Sequence, residues 1–277
     1  MTPGRLFAVV LLAAGCATGR VVVPVSLDPA ALPRAAAVEA FTTHEAAVQG
    51  IAAILVRDLG LPVPDELTLY VYGSRDVFEE GLVSDGRVSP LRAAELSDFA
   101  VGVGRRRQLL LHDEVSQPSA REWIRLLAHE LTHLAQIELA QGEGRAEQWL
   151  AEGMAEWAAF VVLERLGLDT RARHREAATA GVSSHEALVS ARLDLETLGT
   201  SRGFTIRHLR EGSLPTYQLA FLMADYLIGR SGLPRVVEYF RAFATRQDRR
   251  ENFRDAFGQS LEDFEREILA HLATTIP

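Results

Sequence analysis

The stretch Ala128-His129-Glu130-Leu131-Thr132-His133-Leu134 decides how the rest of the chain is read. Around it Ile124, Leu127, Leu131 and Leu134 recur at three- and four-residue spacing, the pattern of a helix with one apolar stripe. Ser119 and Glu122 stand at capping-box spacing and predict a helix over about 119–140. On such a helix His129 and His133 lie one turn apart and point the same way. Two imidazoles so placed can grip one metal ion, with Glu130 between them in reach of its water. Three fixed residues in five also recur by chance, so a catalytic site needs a third ligand from elsewhere.

Working outward, Trp149-Leu150-Ala151-Glu152-Gly153-Met154-Ala155-Glu156-Trp157 predicts a second helix, over about 145–166. Eighteen residues separate His133 from Glu152, with Gly142 and Gly144 between the helices. That length allows the second helix to fold back antiparallel and turn Glu152 toward the histidine pair. Zinc suits two imidazoles and a carboxylate in a tetrahedron with one open position. Glu156, one turn beyond Glu152, reads either as a surface carboxylate partnering Arg145 or Arg165, or as an acceptor for the free ring nitrogen of a ligand histidine.

His129-Glu130-x-x-His133 followed by Glu152-Gly153-x-Ala155 resembles the gluzincin zinc metallopeptidases, and within them the peptidase-MA-like bacterial proteins. The resemblance implies a zincin-like fold, one zinc ion per chain held by His129, His133 and Glu152, and Glu130 as general base. It also implies a tyrosine after the zinc helices that donates to the oxyanion. Tyr217, in Pro215-Thr216-Tyr217-Gln218 at the opening of a helix over about 214–230, is that candidate, with His208 and Tyr226 as competitors. The Gly-x-Met-Glu-Asn segment with which the resembling aminopeptidases hold a substrate amino terminus is absent. Endopeptidase action on a peptide or protein substrate is therefore the expected activity. A non-catalytic zinc-containing envelope lipoprotein, serving as a binding or scaffold module, is the alternative.

The fold class expected is α+β, a small N-terminal mixed sheet followed by a mainly helical half. Residues 35–59 carry apolar residues at helical spacing, stopped by Gly60 and Pro62. Residues 67–72 are β-branched and aromatic enough for a strand, and Ser74 can cap a short helix through Phe78. Residues 99–103 and 108–111 read as two strands joined across Gly104 and three arginines, the second serving as an edge strand beside the cleft, where an extended peptide can pair. Gly102-Val103-Gly104 lacks the third glycine of a dinucleotide site. Residues 168–213 read as a loop-and-helix crossover.

At the amino terminus residues 6–14 are an uncharged apolar run after Arg5, too short to span a bilayer. Leu12-Ala13-Ala14-Gly15-Cys16 resembles a bacterial lipoprotein signal, which implies cleavage after residue 15 and a lipid anchor at Cys16. The expected division is signal 1–15, tether 16–33 and one domain over 34–277, with an α/β part to 118 and a helical part from 119. The implied location is the bacterial cell envelope, lipid-anchored or secreted. A net charge of −8 argues against general nucleic-acid binding, and a single cysteine excludes an internal disulfide or a Cys-rich zinc module.

Overall fold

The computed structural model describes residues 19–113, 119–142, 146–183 and 193–275. The signal segment and Cys16 lie outside the described residues.

The architecture is α+β: one four-stranded mixed sheet and, among the described residues, twelve α-helices. Strands β1 (Arg20–Ser26), β2 (Glu66–Tyr72), β3 (Gly102–Arg105) and β4 (Gln108–His112) lie in the order β1-β2-β4-β3. β2 and β4 are parallel, with Tyr70 opposite Leu110, and the two outer strands are antiparallel to their neighbours. Strand alternation divides the core. Leu67, Leu69, Val71, Leu109 and Leu111 join the main core, while Tyr72 and Leu110 pack into a smaller cluster with Phe78 and Leu82.

β1 lies inside the stretch expected to be a tether. Its run Val21-Val22-Val23-Pro24-Val25 is β-branched, and Pro24 is tolerated because β1 is an edge strand. The expected edge strand is also reassigned. Residues 108–111 form the interior strand β4, buried at Leu109, Leu110 and Leu111, and the edge beside the site helix is β3.

Helix α1 (His44–Leu59) begins later than the apolar spacing suggests, where Thr43 Oγ1 accepts the Ala46 amide at 3.1 Å; Gly60 ends it in the left-handed region at φ 65°. Between β2 and β3 lie α2 (Arg75–Ser84), capped by Ser74 as expected but extending past Phe78, and α3 (Pro90–Phe99), whose last residue was expected to open a strand that instead begins at Gly102. The helical half comprises α4 (Arg121–Ala140), α5 (Gln148–Arg165), α6 (Arg171–Ser183), α7 (Leu195–Leu198), α8 (Ser201–Glu211), α9 (Ser213–Ser231), α10 (Leu233–Ala242), α11 (Arg249–Phe257) and α12 (Leu261–Thr275). The expected capping box on α4 does not form. Ala120 is the N-cap, which puts Glu122 one position too early, and its carboxylate pairs with Arg121 and Arg125 instead.

α5 is the central element, with 14 of its 18 residues buried. One face meets α4. Another meets α9 so closely that a Cβ at Gly153 would run into the Ala220 carbonyl oxygen, which is why a residue without a side chain stands there. Trp149, near its start, is fully buried and stacks on Phe264 of α12 at 5.4 Å.

Candidate metal centre

Contacts between α4 and α5 run in opposite chain order: Arg125 meets Glu156, His129 meets Glu152 and Glu156, His133 meets Glu152, and Gln136 meets Ala151. The two helices are thus antiparallel, and the loop between them delivers Glu152 to the histidine pair. His129 Nε2 and His133 Nε2 lie 3.1 Å apart, and Glu152 Oε2 lies 3.2 Å from the first and 3.4 Å from the second. The three residues form a group that could hold a metal ion. A tetrahedral ion with bonds of about 2.0–2.1 Å separates its ligand atoms by about 3.3–3.4 Å, so the triangle has the size such an ion requires. Without a cation, three lone pairs aimed at one point in a buried place would repel.

Each ligand is fixed from behind. His133 Nδ1 lies 3.0 Å from Gln136 Oε1, and the Gln136 amide donates to the Ala151 carbonyl at 2.9 Å. The Gln148 amide donates to Glu152 Oε1 at 2.7 Å, and Gln148 in turn accepts from the Ser201 hydroxyl at 2.8 Å. His129 Nδ1 lies 3.1 Å from Glu156 Oε1. Glu156 is held by a fork of two hydrogen bonds from Arg125 Nη1, at 2.8 and 2.9 Å. Of the two partners considered for Glu156 on sequence grounds, Arg165 pairs with Asp58 and Arg145 lies outside the described residues. With each Nδ1 facing an acceptor, both rings turn Nε2 inward as the ligand atom.

The electrostatics agree with this geometry. Burial, the largest single influence on His129, lowers its pKa, but Glu152 and Glu156 outweigh it and raise the imidazole to about 10. His133 is raised in the same way, burial opposing and Glu152 prevailing. Glu152 shows the converse: burial pushes its carboxyl up, and the two imidazoles hold it far below the usual range. Glu156 is also pressed upward by burial, and His129 and Arg125 draw it down to about 2. The pocket is built for positive charge at its centre, whether protons or a cation.

Glu130 lies beside this group and is 5% exposed. Burial raises its pKa, opposed by the charges of His129 and His133 and by a backbone hydrogen bond from Gly104. Strand β3 crosses directly over it. A Cβ at Gly102 would stand 2.7 Å from Glu130 Oε1, and one at Gly104 would stand 3.0 Å from the Glu130 carbonyl oxygen and 3.3 Å from the His133 Cβ. The glycines rejected as a dinucleotide motif are what let the sheet edge approach the site helix.

Tyr217 arrives on α9. Its ring centroid is 6.1 Å from that of His129 and 6.0 Å from that of His208, and all three line one cavity of about 330 Å³. Tyr226 does not reach it: its hydroxyl bonds Glu267 at 2.6 Å and its ring stacks on His271. Tyr217 and His208 therefore both face the group, and Tyr226 is removed as a competitor. Arg125, Gln136, Gln148, Gly102 and Gly104 are the participants that sequence reading missed. For two of them a signal existed, since Gln136 follows His133 by three residues and Gln148 precedes Glu152 by four, both neighbour positions on a helix.

No protein-family model, no curated protein and no solved structure matches this chain.

Proposed function

We propose that this chain is a zinc-dependent peptidase of the gluzincin type, an endopeptidase acting on a peptide or protein substrate at the bacterial cell envelope. The observation that carries the reading is the triangle of His129 Nε2, His133 Nε2 and Glu152 Oε2, with edges of 3.1 to 3.4 Å, and a buried Glu130 beside it. A structural site would need no such base, and two nitrogens with one oxygen are donors that zinc accepts in three-ligand catalytic sites.

Zinc bound to those three side chains would polarise the scissile carbonyl and make an attacking water more acidic. Glu130 takes the water proton, its burial making the carboxylate a stronger base, and then passes that proton to the more basic leaving amine. Tyr217 and His208 supply donors to the developing oxyanion from the opposite helices. Gln136, Gln148, Glu156 and Arg125 keep the ligands from turning. The envelope location rests on residues 6–16 alone, with Cys16 as the lipid-bearing residue.

Metal analysis and one variant test this. The purified chain should take up about one equivalent of zinc and cleave members of a broad peptide library. Glu130→Gln should keep the metal while cleavage falls by on the order of 10²–10⁴-fold. Unchanged cleavage would remove Glu130 as the base. A zinc-loaded wild-type chain that cleaves no peptide would leave the non-catalytic binding module in its place.

A further inference from the structure

Strand β1 shortens the leash that the proposed lipid anchor provides. A free tether over 16–33 would allow about 60 Å between lipid and domain, at up to about 3.6 Å per residue. Most of that stretch is instead fastened to the fold. The Gly73 amide donates to the Gly19 carbonyl, and β1 pairs with β2 from Arg20, opposite Tyr72, to Ser26, opposite Glu66. The Leu27 amide then donates to the Asp65 carbonyl at 2.7 Å, Leu27 and Leu32 are buried, and Arg57 Nη2 donates to the Leu32 carbonyl at 3.1 Å. Five residue steps separate Cys16 from Val21, a span of at most about 18 Å.

The sheet register carries that limit to the metal centre. Val21 lies opposite Val71, Val71 opposite Leu111 and Leu111 opposite Gly102, so these residues form one row across β1, β2, β4 and β3. Strands lie about 4.7–4.9 Å apart, which makes the row about 15 Å long. At its far end Gly102 stands against the Glu130 carboxylate, where a Cβ would come within 2.7 Å of Oε1. Leash and row together place the metal centre no more than about 40 Å from the lipid surface, measured along that path.

Building on the reading of an anchored peptidase, we propose that the substrate is polypeptide held at the same membrane, cut where its chain lies within about 40 Å of the lipid surface. Juxtamembrane stretches of membrane-spanning or lipid-anchored proteins meet that condition. A cut site that its own protein holds farther out does not, whatever its side chains. The restriction comes from the place of β1 in the sheet, and lengthening the chain ahead of β1 relieves it.

The experiment puts the lipidated, zinc-loaded chain on vesicles of phosphatidylethanolamine and phosphatidylglycerol. A peptide that the soluble Cys16→Ser chain cleaves is attached to the same lipid through spacers of about 6 or 30 prolines, which hold the cut site about 20 or 90 Å out. The anchored chain should cleave the near site at least about 10-fold faster than the far one, because only the near site meets it at high effective concentration. The soluble chain should cleave the two alike. Inserting about 30 Gly and Ser residues after Thr18 adds about 30 Å of root-mean-square reach and should remove most of the difference. A second readout needs no turnover: energy transfer to a headgroup dye from a dye on Val101→Cys, an exposed position next to Gly102, should be strong in the anchored chain and weaken with the insertion. Equal cleavage of both sites by the anchored chain, or energy transfer that the insertion leaves unchanged, would overturn this inference while leaving the peptidase reading standing. A wild-type chain that never joins the vesicles would remove the anchor and this inference with it. A soluble chain that cleaves no peptide would end the peptidase reading and the substrate assigned here.

Discussion

Two carboxylates at the amino-terminal end of α5 are both buried and behave in opposite ways. Glu147, just before the first turn, is fully buried, and burial pushes its carboxyl up to about 8 against the opposing charge of Arg249, with Glu196 adding to the rise. Glu152, five residues on, feels the same upward push from burial yet is held far below the ordinary range by His133 and His129. Burial is common to both; compensation is not. Glu147 Oε1 has Arg249 Nε at 3.4 Å, and that guanidinium is shared with Glu196. Glu152 faces two imidazoles at 3.2 and 3.4 Å and accepts a third contact from Gln148. An acidic side chain inside a protein marks a chemical centre when several donors converge on it, and otherwise it is a strained structural element.

The contrast breaks most severely at Glu152. Glu152→Ala should reduce zinc affinity by more than about 100-fold, since it removes a ligand where loss of a mere supporting residue already costs 10–100-fold. Calorimetric titration with zinc checks it, and an unaltered affinity would mean that the triangle is not the binding site. A smaller effect is expected at Gln136. Gln136→Ala frees His133 to turn, and affinity should drop by about 10–100-fold with the helical circular dichroism unchanged. Gln136→Glu, which keeps an acceptor for the ring, should recover part of the loss.

The mildest effect belongs to Glu147 and reads on stability. Its folded pKa, about 8, stands above the ordinary 4.5, so the folded state binds its proton more tightly than the unfolded chain does. Its stabilising contribution is whole below about pH 4.5 and is lost as pH rises through about 8. Glu147→Gln carries no titrating group there. Its melting temperature should therefore gain on wild type by several degrees between pH 5 and 9. Zinc uptake should stay the same, because Glu147 touches no ligand. Parallel melting curves across that range would show that Glu147 is ionised in both states.

The helices that carry the candidate metal group were legible because metal chemistry imposes local spacing. His129 and His133 must sit one turn apart, and Glu152 must follow within a loop that returns the chain. Tyr217 was legible only as one of three aromatic or imidazole candidates, since which helix crosses α5 depends on the packing at Gly153. The edge strand was misassigned for a physical reason. A leucine-rich run looks like the better strand, yet it is the interior strand that needs leucines, and the edge beside Glu130 needs glycines. β1 was read as a tether because Pro24 and small residues around it suggested extended linker, a reading that an edge position makes unnecessary. Arg125 acts across helix faces on Glu156, and a pairing of that kind leaves no periodic trace in a sequence.

The Gln136 side chain does two things with one amide: its oxygen meets an imidazole on its own helix, and its nitrogen spans to the carbonyl of Ala151 on the next. Parting the two helices would therefore unhitch that ring in the same motion, so that release of a bound metal ion and loosening of the pair would be a single event. On the proposed zinc reading, a zinc concentration that saturates the site would by mass action also clamp this seam shut, and the chain's resistance to heat would become a gauge of the metal supply around it.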